Sequence, residues 1–282
     1  MHTVDRALVL GPGGPVGTAW AAGLVHGLLR AGVDLDAADL IVGTSAGAIV
    51  GAVLATGQDP GRLETPVRAE GHRVPVDHAR MGEAFAVLGD RTLEPEEARR
   101  RVGQLALGGV DPRAEEALLA GRAALIGARE WPERRLVITA VEAGTGEPVA
   151  WDRDSGAPLV HAVAASSAFP GAAPPPEVDG RRYMDGALRA GVNADLAAGA
   201  RTLVVVAPMA HLSPPGVLEG QVAAVGARTT ETIGPDPASV EAFGPDLGDV
   251  TVWGPAYRAG VAQAAGSADR LRSVWGTAGA AG

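Results

Sequence analysis

The sequence predicts an α/β fold in which a parallel or mixed sheet carries helices on both faces. Two patterns predict it: short apolar runs of strand length alternate with segments of helical spacing, and Gly-rich turns separate them. Hydrophobic residues make up 46% of the 282 residues, which is enough for a large core. No linker long enough to divide the chain is visible, so we expect one domain over residues 1–282.

The first part of the chain alternates strand and helix. Residues 6–10 have the continuous apolar character of a buried strand, and a tight Gly/Pro loop follows. Residues 18–30 have helical spacing, with Trp20, Leu24 and Leu28 on one stripe. Residues 39–42 predict a second buried strand, and residues 48–56 an apolar helix.

Between residues 58 and 127 the pattern changes. This stretch is rich in Arg and Glu and contains three short helical patterns, at residues 81–88, 95–107 and 113–126. We therefore expect a helical insertion or lid within the single domain.

Strand character returns at residue 135. Strands are predicted at residues 135–141, 148–151, 202–206 and 250–253, with a hairpin around Asp179-Gly180, a common two-residue turn. Helices are predicted at residues 158–167 and 257–275.

The composition argues against several classes of protein. The net charge of −9 opposes a nucleic-acid-binding surface, which needs a basic face to neutralise phosphates. Cysteine is absent and all 24 basic residues are arginine, which excludes thiolate chemistry and a Schiff-base or P-loop lysine. No signal peptide and no apolar run of ~20 residues is visible, so we expect a soluble, cytoplasmic protein.

The segment Gly43-Thr44-Ser45-Ala46-Gly47 has the G-x-S-x-G pattern and lies between a predicted strand and a predicted helix. That context is typical of a nucleophile elbow, in which a sharp turn exposes the serine hydroxyl. Glycines on either side keep side chains out of the turn, and the N-terminus of the next helix points positive partial charge at the reacting centre.

The loop after the first strand supplies candidate oxyanion donors. Proline has no N–H, so the available amides are those of Gly13, Gly14, Val16 and Gly17. A dinucleotide site is disfavoured here, because the G-x-G-x-x-x-G spacing is one residue too long and no acidic residue ends a clear second strand.

A serine nucleophile needs a base, and two candidates remain open. His211 follows a predicted strand and is the only histidine suited to a catalytic triad. Asp185 lies in an Asp-Gly turn at the end of a predicted hairpin strand, where partial burial would raise its pKa and its basicity.

Three blocks together resemble the patatin-like phospholipase family. The first is the glycine loop and helix of residues 10–32, and the second is residues 41–52 around Ser45. The third runs from residue 164 to Ala187 through the Asp185-Gly186 turn, with Asn193 following. Their order and spacing match the family over most of the chain.

The resemblance implies a three-layer α/β/α fold, with a mixed, mostly parallel sheet, and a lipid acyl hydrolase with a Ser-Asp dyad. By that resemblance Ser45 is the nucleophile and Asp185 its base, no metal or organic cofactor takes part, and the partner is a lipid or acyl ester with transient contact to a membrane surface. The implied oxyanion donors are the amides of Gly13, Gly14 and Ala46. The implied motif glycines are Gly17, Gly43, Gly47 and Gly186.

The glycine loop departs from the family pattern G-G-G-x-[RK]-G. Pro12 replaces the first glycine and Val16 the basic residue, which removes a positive charge expected near the ester. Two alternatives stay open: an α/β-hydrolase with a Ser45–Asp185–His211 triad or, because of this altered loop, a catalytically weakened binding or regulatory protein.

Overall fold

The computed structural model describes residues 4–65 and 75–275. Within these residues, eight strands form one central sheet with the order β5-β6-β3-β2-β1-β7-β8, and β4 pairs with β3. In chain order the strands are Arg6–Leu10 (β1), Leu40–Gly43 (β2), Leu136–Glu142 (β3), Pro148–Trp151 (β4), Glu177–Val178 (β5), Arg181–Asp185 (β6), Thr202–Val206 (β7) and Thr229–Ile233 (β8).

The sheet is mixed and mostly parallel, as predicted. β1 pairs in parallel with β2 and β7, and the parallel arrangement continues to β3 and β8. β3 pairs antiparallel with β4 and β6, and β5 and β6 form the hairpin expected around Asp179-Gly180. β1, β2 and β7 are buried on both faces, which explains their continuous apolar sequences.

Ten α-helices accompany the sheet in the described residues. They are Gly14–Arg30 (α1), Ala46–Ala55 (α2), His78–Gly89 (α3), Pro95–Leu107 (α4), Pro112–Ile126 (α5), Leu159–Ser166 (α6), Ala187–Ala190 (α7), Val217–Ala223 (α8), Pro237–Phe243 (α9) and Trp253–Trp275 (α10).

Alternate residues of the inner strands β1, β2 and β7 enter different cores, which produces three layers. Leu8 and Leu10 of β1 join the large core that α1, α2 and α10 cover. Ala7 and Val9 join a second core with α8 and the short 3₁₀ turn Ala194–Ala197. The predicted α/β/α arrangement is confirmed.

The first two α-helices of the predicted insertion, α3 and α4, pack on the antiparallel part of the sheet, and the third, α5, packs on α6. Ala84 of α3 and Val102 of α4 share a small core with Val141 of β3 and Met184 of β6. All three helices occur close to their predicted positions, while residues 66–74 of the insertion lie outside the described residues.

One predicted strand is absent, one strand was not predicted, and α1 and α10 each begin four residues earlier than predicted. Residues 250–253 form a 3₁₀ turn and the start of α10 rather than a strand, because Asp249 accepts the Thr251 N–H as a cap. The last strand is β8, which the sequence analysis did not predict. α1 begins at Gly14 instead of residue 18, with Pro15 in its first turn, where a missing N–H costs nothing.

Candidate active site

Ser45 occupies a strained turn between β2 and α2. β2 ends at Gly43 and α2 begins at Ala46. Ser45 has φ 55° and ψ −114°, a conformation that non-glycine residues rarely adopt and that persists only where the surroundings enforce it. The side chain is 6% exposed. The turn has the geometry expected of a nucleophile elbow.

Glycine is required sterically at both glycine positions of the motif. A Cβ at Gly43 would lie 2.7 Å from the Cα of Ala48 and 2.8 Å from the carbonyl oxygen of Gly47. A Cβ at Gly47 would overlap the backbone carbonyl of Leu10. Glycine at position 43 leaves room for the first turn of α2, and glycine at position 47 lets α2 pack against β1.

The sheet brings Asp185 to the elbow. β2 ends with Gly43 opposite Ile138 of β3, and β6 ends with Asp185 opposite Ala140, two residues further along the same strand. The Ser45 hydroxyl donates to Asp185 Oδ2 at 2.8 Å. The second carboxylate oxygen, Oδ1, accepts the Ala187 N–H at 2.8 Å. Asp185 therefore contacts Ser45 directly.

Burial makes Asp185 an unusually basic carboxylate. Its side chain is 4% exposed, and burial raises its pKa to about 7. The hydrogen bonds from Ala187 and Ser45 and the nearby charge of Arg122 oppose the shift but do not cancel it. Near neutral pH the group is thus poised to accept a proton.

The C-terminal turn of α6 holds both residues of the pair. The Ser166 hydroxyl accepts the Ser45 N–H at 2.9 Å, and the Ser166 carbonyl accepts the Gly186 N–H at 3.3 Å. The Ala168 carbonyl accepts the Asp185 N–H at 3.1 Å. One short segment thereby fixes the backbone on each side of the Ser45–Asp185 hydrogen bond.

A buried polar network supports the pair from below. The Asn193 side-chain amide donates to the Thr44 hydroxyl at 2.9 Å and to the Gly186 carbonyl at 3.1 Å. Thr44 in turn is hydrogen-bonded to Thr139 of β3 at 2.9 Å. All three side chains are fully buried, so the network ties the elbow, β3 and the Asp185 turn together.

The glycine loop lies against the elbow and presents unpaired amides. The Gly47 N–H donates to the Gly11 carbonyl at 3.1 Å, which holds the loop beside Ser45. The amides of Gly13, Gly14 and Ala46 have no acceptor within residues 4–65 and 75–275. Since α1 begins at Gly14 and α2 at Ala46, two helix N-termini meet here, which favours a developing oxyanion.

The glycine loop, the elbow and the Asp185 turn all lie in the part of the chain that matches a known family. The sequence model of the patatin-like phospholipases matches residues 8–198, well over half of the chain. The chain belongs to the patatin-like phospholipase family.

One solved structure is distantly similar to this patatin-like protein. The type III effector protein ExoU aligns with 96% of the chain at 18% sequence identity and a TM-score of 0.40. The alignment covers 53% of ExoU, so the chain spans about half the length of that protein. A comparison with curated protein sequences gives no match.

Val16 occupies a core position in this patatin-like protein. Its side chain is fully buried in the large core, and its N–H donates to the Leu247 carbonyl at 3.1 Å. An arginine at position 16 would have to displace core packing or bury its charge. The charge missing from the glycine loop is therefore not readily restored at that position.

His211 does not contact the hydrogen-bonded pair Ser45 and Asp185 through a hydrogen bond of its own within the described residues. It follows β7 in a 3₁₀ turn, and its ring packs edge-on against Phe243 with the centroids 5.8 Å apart. The described part of the chain also contains no group of three His, Asp or Glu side chains placed to hold a metal ion.

Sequence reasoning named Ser45 and Asp185 but missed the residues that support them. Ser166 lies in the third block of the family resemblance, residues 164–187, but the resemblance assigned no role to its hydroxyl. Thr139 lies in a strand and gave no signal at all. Asn193 has φ 56°, a conformation that asparagine tolerates, and its position after the Asp185 turn was the one available clue.

The packing of Gly47 predicts a large effect on stability. We expect Gly47→Ala to lower the free energy of unfolding by about 3 kcal/mol, because the added Cβ forces α2 away from β1. Gly266→Ala is the matched control, since open space surrounds that helical position, and it should stabilise by about 0.5 kcal/mol. Urea unfolding measures both, and a Gly47→Ala protein as stable as the wild type would contradict the packing described.

Proposed function

We propose that this patatin-like protein is a serine acyl hydrolase that cleaves carboxylic esters of lipids through an acyl-Ser45 intermediate. The observation that carries the proposal is the 2.8 Å hydrogen bond from the Ser45 hydroxyl to Asp185, at a strained elbow beside unpaired amides. A serine is a weak nucleophile unless a base within hydrogen-bond reach takes its proton.

In the acylation step, Ser45 Oγ attacks the ester carbonyl carbon while its proton passes to Asp185 Oδ2. The tetrahedral intermediate collapses, the bond to the alcohol oxygen breaks, and the proton on Asp185 goes to the leaving alcohol. In deacylation, water attacks the acyl-Ser45 carbonyl, gives its proton to Asp185 and releases the carboxylic acid as Ser45 regains its proton.

The free amides of Gly13, Gly14 and Ala46 are the proposed donors to the oxyanion. Backbone donors that are fixed before the reaction stabilise charge without reorganising, which makes this contribution large in acyl-transfer enzymes. The strain at Ser45 fits the same role, because it fixes the direction of the hydroxyl relative to those donors.

An exposed aromatic side chain beside the site supports contact with a lipid surface. Phe85 of α3 is 57% exposed and stacks on Phe169, with the ring centroids 4.9 Å apart. Phe169 directly follows Ala168, whose carbonyl holds the Asp185 N–H. Leu88, one turn further along α3, is also exposed. We infer that this end of the insertion borders the entry path of the acyl chain.

The raised pKa of Asp185 predicts the pH dependence of the reaction. The base acts in its ionised form, so kcat/KM for a neutral p-nitrophenyl ester should rise with pH and reach half its maximum near pH 7. A folded-state pKa above the unfolded value means that the folded protein binds more protons between about pH 4 and 7. This group therefore makes the protein less stable as pH rises through that window.

Two measurements test the function. The purified chain is assayed from pH 5 to 9 on p-nitrophenyl butyrate, and fatty acid release is followed from phospholipid in neutral detergent micelles. Saturable release from both, with a rate that rises through pH 7, supports the proposal. A folded protein that releases acid from neither substrate would favour the non-catalytic alternative. If His211 were the base, as in the triad alternative, the rate would fall sharply when His211 is replaced.

A further inference from the structure

Arg122 on α5 lies next to the proposed catalytic pair without forming an ion pair. Its Nε–H donates to the Ser167 hydroxyl at 2.8 Å, and that hydroxyl donates to the Val163 carbonyl at 2.8 Å. Ser167 directly follows Ser166, which holds the Ser45 amide. Arg122 is close enough for its charge to lower the pKa of Asp185.

The orientation of α5 is fixed by three residues on one face. Glu115, Leu118 and Arg122 have the i, i+3, i+7 spacing of a helix stripe. Glu115 pairs with Arg182 of β6 at 2.7 Å, and Leu118 packs on the end of α6. The stripe faces the body of the protein, so Arg122 is half-buried and is held over the α6 turn.

The C-terminal end of α5 is fixed as well. The guanidinium of Arg62 donates to the carbonyls of Leu125 and Ala124 at 2.5 and 3.2 Å, where the helix dipole favours a cation. Gly127 ends the helix in the left-handed conformation, with φ 74°. Contacts at both ends of α5 thus fix the helix, and the fixed helix determines where Arg122 lies.

Most of the hydrogen-bonding capacity of Arg122 is unused. A guanidinium has five N–H donors, and within the described residues only Nε–H is bonded. No carboxylate there lies within 4 Å of it, and neither terminal amino group is fully enclosed. Burial lowers the pKa of Arg122 to about 10, so the group stays charged at neutral pH, and no carboxylate of the described residues pairs with that charge.

We propose that Arg122 is a specificity-determining residue that binds the phosphodiester of a phospholipid whose ester carbonyl lies at Ser45. The two free amino groups form the fork that binds two oxygens of a phosphate at once. The proposal supplies the cation that the glycine loop lacks, since Val16 is buried in the core. It rests on the proposed function for turnover, but phosphate binding itself does not.

The first test compares two substrates that differ in the phosphate. Arg122→Gln, Arg122→Lys and wild type are assayed at pH 9, where Asp185 is ionised, on dioleoylphosphatidylglycerol and on dioleoylglycerol in neutral detergent micelles. Arg122→Gln should lower kcat/KM for the phospholipid about 30-fold more than for dioleoylglycerol, mainly through KM. Arg122→Lys should recover part of the loss. Arg113→Gln, at an exposed position of the same helix, is the matched control and should change neither rate.

Dioleoylphosphatidylcholine distinguishes the phosphodiester from the charge of the whole lipid. If Arg122 binds the phosphate group, Arg122→Gln should weaken turnover of the zwitterionic and the anionic phospholipid alike. A loss confined to phosphatidylglycerol would overturn the proposal in favour of attraction to an anionic surface. Equal losses on phospholipid and dioleoylglycerol would also overturn it and make Arg122 a residue that positions the α6 turn.

A binding measurement separates the failure of this proposal from that of the proposed function. A fluorescent diether phosphatidylcholine, which has no ester to cleave, is titrated into Ser45→Ala and into Ser45→Ala/Arg122→Gln. Weaker binding by tenfold or more in the double variant supports the proposal even if wild type turns over no substrate. Equal binding by the two proteins overturns it, whatever the activity of the wild type.

Discussion

Ser45→Ala is expected to reduce hydrolysis of p-nitrophenyl butyrate to the uncatalysed background, a loss of at least about 10³-fold. The variant removes the proposed nucleophile and leaves the proposed backbone donors in place. Stability should change by less than about 1.5 kcal/mol, because one hydroxyl and its hydrogen bond to Asp185 are lost without a large cavity. Initial rates and urea unfolding measure the two effects.

Ser155→Ala is the matched control for this variant. Ser155 is exposed in the turn after β4, bonded only to its neighbour Asp152, and its loss should leave the rate unchanged. Turnover by a folded Ser45→Ala protein at more than a few per cent of the wild-type rate would contradict a serine mechanism at this position.

Asp185→Asn should lower kcat by about 10³-fold. The shape of the side chain is kept, and one oxygen can still accept the Ala187 N–H. The atom that faces Ser45 then becomes an amide nitrogen, which donates a hydrogen bond and cannot take a proton. The rise of the rate through pH 7 should disappear together with the titrating carboxyl.

His211→Ala separates the dyad from the triad. Because His211 packs on Phe243 and makes no hydrogen bond to the pair within the described residues, its loss should cost about tenfold or less. A loss at His211 as large as that at Asp185 would transfer the role of base to the histidine. The two variants are therefore assayed together, with unfolding curves to confirm that each protein is folded.

The inner parallel strands could be predicted because a short, continuous apolar run between turns is typical of a strand that is buried on both faces. β1, β2 and β7 are continuous apolar runs of strand length between Gly-rich or polar turns, and their burial on both faces matches that pattern. The order of the strands did not follow from the same signals, since nothing in an isolated apolar run specifies its neighbour.

The edge of the sheet was harder to predict. β8 is Thr-rich and mostly exposed, so it lacks the apolar signal of the inner strands although its β-branched residues favour extended structure. Residues 250–252 are also β-branched, but the Asp249 cap and the anchoring of Trp253, whose indole N–H donates to the Leu63 carbonyl, determine a turn and a helix start. Tertiary contacts outweighed local propensity at both places.

The part of the candidate site that could be predicted is the elbow, where the tight backbone packing allows only particular residue types. Gly43 and Gly47 are required sterically, and together with Ser45 they form a readable motif. Arg122 and Thr139 reach the site from elements distant in the chain, so only the folded structure brings them together. The burial of Val16 in the core could be seen only in the structure, because the sequence of the glycine loop does not show which way the valine side chain points.

Labelling with a fluorophosphonate tests the central claim, an activated nucleophile at Ser45, most directly. The protein is incubated with the reagent, digested and analysed by mass spectrometry, with Ser45→Ala, Asp185→Asn and His211→Ala treated in parallel. We predict a single adduct on Ser45 in the wild type and in His211→Ala, about 10³-fold slower labelling in Asp185→Asn, and none at the elbow in Ser45→Ala. An adduct on another serine, or a folded wild-type protein without an adduct on Ser45, would contradict the account.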